Sequence, residues 1–310
     1  NSPNRPPPPT PQNHPPGWDQ KPPPQYKTPM DCRPGGRCSP TNPKRHSNLP
    51  PNASPIFQKL PAQNKVDVFT ANRQITVPLY AMSKPKLIKF SEYTAFPNTY
   101  DIQDAETTKG NWQAIFGNNN PIVIELACGK GDYTVGLARL NPNINYIGVD
   151  IKSNRMWTGA KAAITENLNN VRFLRTHIDN ITEYFAPNEV SEIWITFADP
   201  QPHKARKRLS SYKFLNLYRQ IAPATALVNV KTDSDLFYES TLEQVQRDGL
   251  TLHQNIPNVY QLVPVPPVLQ IQTYYEKMWL AIGRTIKFCQ FVLGDCVSQP
   301  APEEEGSESL

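Results

Sequence analysis

From Pro121 onward, short apolar runs alternate with stretches of helical spacing, and few folds accept that alternation. "PIVIEL" (121–126) is followed by "DYTVGLARLNP", "NYIGVDI" by "SNRMWTGAKAAITENL", and "VRFLRT" by a short helical stretch near 180–186. A strand over 192–198 comes next, then a helix over 211–221, the strand "ALVNVKTD" (226–233), a helix over 235–248, and late strands near 251–256 and 285–293. Strands separated by helices of roughly 10 to 15 residues build a parallel sheet covered on both faces. The expected fold is therefore α/β, a mostly parallel seven-stranded sheet with helices on both faces. Asp132 and the pair Ser153-Asn154 stand where they can cap the first two helices.

Ligands of such sheets gather at the carboxyl ends of the strands, and four successive strands here lead to a carboxylate. The first ends in Glu125, followed by Ala127, Cys128, Gly129, Lys130 and Gly131 before a helix. Small residues at that place let the backbone approach a ligand and present amides at the helix start. The second ends in Asp150, where an acidic side chain can take both hydroxyls of a ribose. The third leads to Asp179 and the fourth to Asp199. One such acid alone reads as an ordinary cap or turn residue; four in succession point to a site.

The fourth strand continues as "IWITFADPQPHKARKRL" (193–209). Pro200 and Pro202 have no amide to donate, so the chain must leave the sheet near Asp199. Beyond them lie Lys204, Arg206, Lys207 and Arg208. A solvated charged loop is the plain reading of such a run; a phosphate-contacting arm is the functional one. The net charge of +5 is modest for 310 residues, so attraction to a polyanion must come from a local patch of this kind.

Five cysteines without a C-x-x-C pair argue against a disulfide framework or a zinc site, and no metal is expected. A reducing, cytoplasmic compartment fits, no leader is expected from the opening residues, and no apolar run approaches the roughly 18 residues of a membrane span. More than half of the 34 prolines precede residue 62, in a composition that buries too little apolar surface to offset chain ordering. Residues 1–81 are expected to form a disordered or polyproline II tail, for which an SH3-like partner is conceivable on composition. Residues 82–296 are expected to form the folded domain, and 297–310 an acidic disordered tail.

"ELACGKGDYTVGLA", "YIGVDIKSNRMWTGAKAA", "IWITFADPQ", "KARKRLSS", "VKTDSDLFY" and "TYYEKMWLAIGRTIKF" occur in an order and spacing that resemble the tRNA (guanine-N7)-methyltransferase family, over about residues 82–293. The resemblance implies a Rossmann-like class I methyltransferase fold, S-adenosyl-L-methionine as donor, and N7 of a variable-loop guanosine of tRNA, at position 46, as acceptor. It places Glu125, Gly129, Gly131, Asp150, Asp179 and Asn180 at cofactor-binding positions, and Asp199 at the active-site position that also contacts cofactor or base. Asp233, Thr273, Tyr274, Tyr275 and Glu276 fall at substrate-binding positions, and His203 or Lys204 joins Arg206, Lys207 and Arg208 as RNA contacts. Ala127 stands in place of the first glycine of the usual turn, which a small side chain allows where φ is negative. Two other readings remain open: a class I methyltransferase acting on a protein or small molecule, which has no need of the basic arm, and a non-catalytic RNA-binding descendant.

Overall fold

The computed structural model describes residues 86–301 in full and, by backbone, two strands before them, β1 (Lys65–Thr70) and β2 (Arg73–Pro78). The other expectations for residues 1–85, and those for 302–310, lie outside the described residues. β1 and β2 pair antiparallel, Val66 with Val77 and Val68 with Ile75. They fall inside the stretch expected as a tail, which to that extent is corrected. "VDVFT" and "QITVP" repeat β-branched residues with period two (Val66, Val68, Thr70; Ile75, Val77), a pattern overshadowed in the sequence by the prolines before it.

The remaining elements follow in the order α1 (Lys86–Ala95), β3 (Thr99–Tyr100), α2 (Ala105–Thr108), α3 (Trp112–Phe116), β4 (Ile122–Leu126), α4 (Asp132–Leu140), β5 (Asn145–Asp150), α5 (Ser153–Thr165) and β6 (Val171–Arg175). A 3-10 turn over Ile178–Glu183 takes the place of the short helix expected there. Then come β7 (Glu192–Thr196), α6 (Tyr212–Tyr218), β8 (Leu227–Thr232), α7 (Asp235–Arg247), β9 (Leu252–Ile256), α8 (Pro267–Gln270), α9 (Tyr274–Ala281) and β10 (Lys287–Val292). They form one sheet in the order β3-β6-β5-β4-β7-β8-β10-β9. β10 runs antiparallel between β8 and β9, and the other pairs are parallel. The sheet has eight strands rather than seven, because the two-residue β3, too short to leave a pattern, pairs with β6 through Thr99 and Tyr100.

Alternation along each strand divides the core between the two faces. Ile122, Ile124, Leu126, Ile193 and Ile195 pack on one side with Trp112, Phe185, Phe214 and Phe237. Val123, Phe173 and Trp194 pack on the other with Tyr133 and Val135 of α4 and Met156 and Ala160 of α5. β4 is flanked by β5 on one side and β7 on the other, so the chain reverses its direction of travel across the sheet at β4. At such a switch point the connections on either side diverge and leave a crevice beyond the carboxyl ends of the strands. Here that crevice lies between the turn after β4 and the chain leaving β7.

Two caps differ from expectation. Gly131, with φ of 73°, is the N-cap of α4, so Asp132 becomes its first helical residue; Lys152, not Ser153, precedes α5. Both displacements leave polar side chains free for contacts outside their own helix, and Asp132 makes one.

Candidate active site

Glu125, the fourth residue of β4, is 2% exposed and faces α4. Its Oε2 accepts the amide of Thr134 at 2.8 Å and the Thr134 hydroxyl, and its Oε1 accepts the Thr196 hydroxyl at 2.5 Å. One carboxylate thereby joins β4, the first turn of α4 and the end of β7. Burial pushes this carboxyl up to about 7, against the pull of its three hydrogen bonds. Expected at a cofactor-binding position, it sits beneath the turn, bonded to Thr134 and Thr196.

The turn it supports runs in the left-handed region at Ala127, Gly129 and Gly131, with φ of 56°, 58° and 73°. A Cβ on Gly131 would lie 2.6 Å from the Phe173 ring, so the approach of α4 to β6 admits glycine alone. The condition of negative φ at Ala127 is not met: the alanine follows its turn into a conformation that costs an L-residue about 1–2 kcal/mol. Phe197 (φ 50°) and Gln201 (φ 45°) repeat the strain across the crevice. Concentrated strain of this kind is held in place by surrounding structure and marks functional sites.

A cleft of about 290 Å³ opens beside the turn, lined by Ala127, Asp150, Ile151, Asp179, Lys207 and Phe214 among others. The Asp150 carboxylate accepts the Gly129 amide at 3.0 Å and the Lys152 amide at 2.8 Å, which orients it while each oxygen keeps a lone pair. Asp179 forms an ion pair with Lys213, and that hydrogen bond holds its carboxyl below the usual range. Apolar Ile151, Ile178, Leu209 and Phe214 line the same cleft. A nucleoside matches this set, ring against apolar walls and hydroxyls toward a fixed carboxylate, so the residues present suit an adenosyl donor. Asn180 is exposed and outside the cleft lining.

At the end of β7, Asp199 is exposed and its Oδ1 accepts the Gln201 amide at 3.0 Å. His203, Lys204, Arg206 and Lys207 are exposed, and Lys207 reaches the cleft. Arg208 turns inward, its Nε donating to the Pro200 carbonyl at 3.0 Å, and so holds the arm against the strand end.

Thr273 caps α9, its hydroxyl accepting the Glu276 amide at 3.1 Å. Tyr274 (49% exposed) and Tyr275 (41% exposed) meet edge to face with centroids 5.5 Å apart. Glu276 is fully buried, where Lys231 of β8 lies 2.7 Å from its Oε1 and Tyr260 donates to it at 2.8 Å. The Lys231 ammonium also donates to the carbonyls of Leu269 and Ile271, at 2.8 and 2.9 Å, and burial pulls its pKa down. Asp233, just past β8, pairs with Arg284 at 2.7 Å, so α9 is tied to β8 at its start and just beyond its end. Thr273, Tyr274 and Tyr275 thus stand at the rim, Asp233 lies in a surface ion pair, and Glu276 anchors the helix from below.

The family model described as "Putative methyltransferase" matches residues 119–289. A "tRNA (guanine-N(7)-)-methyltransferase" of Bacteroides fragilis (strain YCH46) is 42% identical over 219 residues, covering 68% of this chain and 87% of that protein. The chain belongs to the tRNA (guanine-N7)-methyltransferase family. A namesake from Porphyromonas gingivalis (strain ATCC BAA-308 / W83) is 46% identical over 189 residues, covering 60% of this chain and 78% of its own. Among solved structures, the 16S rRNA methyltransferase KamB aligns with 60% of this chain and 94% of its own at a TM-score of 0.46 and 14% identity, so membership rests on the sequence relatives.

Of the partners that hold the site together, Thr134, Thr196 and Lys231 lie within the quoted motifs but have no role assigned by them, and Lys213 and Tyr260 lie outside them. A lysine inside the strand "ALVNVKTD" was the available signal, since a buried ammonium requires a partner.

Two outcomes follow from these buried groups. A carboxyl raised from 4.5 to about 7 on folding binds a proton more readily in the native state, so its contribution is full below pH 4.5 and is lost as pH rises through 7. Between pH 5 and pH 8 the wild type is expected to lose about 2–3 kcal/mol of unfolding free energy relative to Glu125→Gln, read by urea titration at both pH values. In Lys231→Met, Glu276 is left without its cation, with an expected loss of about 3–5 kcal/mol. Adding Glu276→Leu is expected to restore part of it, in the same titration.

Proposed function

We propose that the protein transfers the methyl group of S-adenosyl-L-methionine to N7 of the guanosine at position 46, in the variable loop of tRNA. The observation that carries this reading is the turn over 127–132, which serves both the nucleoside cleft and the exposed tyrosines. Ala127 lines the cleft and Gly129 orients Asp150, while the Lys130 ammonium lies 3.5 Å from the Tyr274 ring centroid and Asp132 accepts the Tyr274 amide.

The donor supplies a sulfonium methyl for in-line displacement. Guanine N7 carries a lone pair and no proton at neutral pH, so the protein has to align N7 and exclude water rather than remove a proton. Asp199, exposed at the strand end, can accept hydrogen bonds from the N1 and N2 edge of guanine and hold N7 forward. The base must leave its stack to arrive there, and Tyr274 or Tyr275 offers an aromatic surface beside the turn. Lys204, Arg206 and Lys207 supply phosphate contacts on the same arm, and Arg208 acts by holding that arm to Pro200.

A transcript of tRNA incubated with the full chain and labelled donor is expected to yield 7-methylguanosine from the variable loop on nucleoside analysis; label in another nucleoside, or none, would overturn the proposal. Asp199→Asn is expected to bind tRNA normally and turn over about a hundredfold or more slowly, as when a group acting mainly in the transition state is lost. Lys204→Ala with Lys207→Ala is expected to lower the slope of log affinity against log salt by up to about two units, one per phosphate contact. An unaltered slope in filter binding would remove the arm from the RNA interface.

A further inference from the structure

Four residues of the turn after β4 and the start of α4 reach the same short segment of chain, residues 268–274. Lys130 places its ammonium 3.5 Å from the centroid of the Tyr274 ring, a close cation–π contact. Asp132, the first residue of α4, accepts the Tyr274 amide on Oδ2 at 3.0 Å, so a single carboxylate sits at the N-terminal ends of two helices, α4 and α9. Both ends carry partial positive charge that a carboxylate offsets. Tyr133, fully buried, donates its hydroxyl to the Val268 carbonyl in α8, six residues before Tyr274. Gly136 continues the contact, since a Cβ there would meet Ile271 at 2.6 Å.

The segment so held carries the exposed pair Tyr274 and Tyr275. Beneath it, Lys231 and Glu276 fix its height against β8; the contacts from Lys130 and Asp132 fix its position relative to the cleft. Neither Lys130 nor Asp132 is among the residues lining that cleft. Both are half-buried and spend their charge on Tyr274.

We propose that Lys130 and Asp132 are positioning residues for methyl transfer, acting through Tyr274: they lock the aromatic surface for the acceptor base onto the same turn that shapes the donor cleft, so base and methyl group are placed by one rigid element. The inference rests on the proposed reaction and names how its two substrates are brought into register. A displacement of about 1 Å at the acceptor is enough to slow such an alignment-controlled step by up to about a hundredfold. The expected signature is a loss of turnover with donor binding unchanged.

The test is a double-mutant cycle on the full chain, with a tRNA transcript as acceptor and S-adenosylhomocysteine as the probe of the donor cleft. Asp132→Ala is expected to lower kcat at saturating tRNA by about tenfold. Its affinity for S-adenosylhomocysteine by calorimetry is expected to match the wild type, and its thermal midpoint to fall by no more than a few degrees, as the loss of one charge at two helix starts and one hydrogen bond implies. Asp132→Asn, whose amide oxygen can still accept the Tyr274 N–H, is expected to recover most of the rate. Lys130→Met is expected to behave as Asp132→Ala. In a Tyr274→Ala background, where there is no ring to place, Asp132→Ala is expected to change the single-turnover rate less than twofold.

Three results would overturn the proposal: wild-type turnover in Asp132→Ala, the same fall in rate with and without the Tyr274 ring, or lost affinity for S-adenosylhomocysteine, which would make Asp132 a donor contact. If Tyr274→Ala is too slow to time, the donor affinity of Asp132→Ala and the recovery by Asp132→Asn decide. Failure of the reaction itself is read separately, from the absence of 7-methylguanosine with the wild-type chain.

Discussion

A buried carboxylate bonded to two threonines sets the geometry of everything above it. Glu125 joins β4 to the start of α4 through Thr134 and to the end of β7 through Thr196. Those are the two chain segments that part at the switch point of the sheet, and a crevice exists there only if both are held at fixed separation. Without this tie the turn over 127–132 would have to hold three left-handed residues on its own contacts. With it, the strained backbone can aim Gly129 at Asp150 and Asp132 at Tyr274.

The acids and cations of the site divide by burial into two kinds of work. Glu125 and Glu276 are inside and hold elements together, the second through Lys231. Asp150 and Asp179 stand at the cleft, one oriented by backbone amides and the other by a lysine. Asp199, Lys204, Arg206 and Lys207 are exposed, as groups must be if they are to meet a large polyanion. Arg208 shows that a basic run need not act as a unit: its bond to Pro200 fixes the loop from which Lys204 and Lys207 extend.

Much of this was legible in the sequence. The apolar runs and their helical intervals predict seven of the eight strands, because burial of alternate faces leaves a pattern several residues long; β3, with two residues, leaves none. The strand-end acids and the basic arm were also readable, since Pro200 and Pro202 force the chain out of the sheet beside Asp199. Contacts between distant segments were not. Nothing near Asp132 in sequence points to Tyr274, 142 residues on, and nothing near Asp179 points to Lys213. The sign of φ at Ala127 escaped for a related reason: local preference disfavours it, and only the surrounding ties enforce it. The hairpin at Lys65–Thr70 and Arg73–Pro78 was missed because a proline-rich composition nearby outweighed a clear period-two alternation.

On the proposed reaction, one turn holds the donor cleft and the acceptor surface as a single element. Hydrogen exchange by mass spectrometry, with and without saturating S-adenosylhomocysteine, tests it most directly. Protection is expected to rise together in residues 127–134 and in the segment 268–276, because Asp132 and Tyr133 bond the second segment from the first. Protection confined to the cleft-lining residues 150–151 and 176–179, with 268–276 exchanging as before, would contradict it.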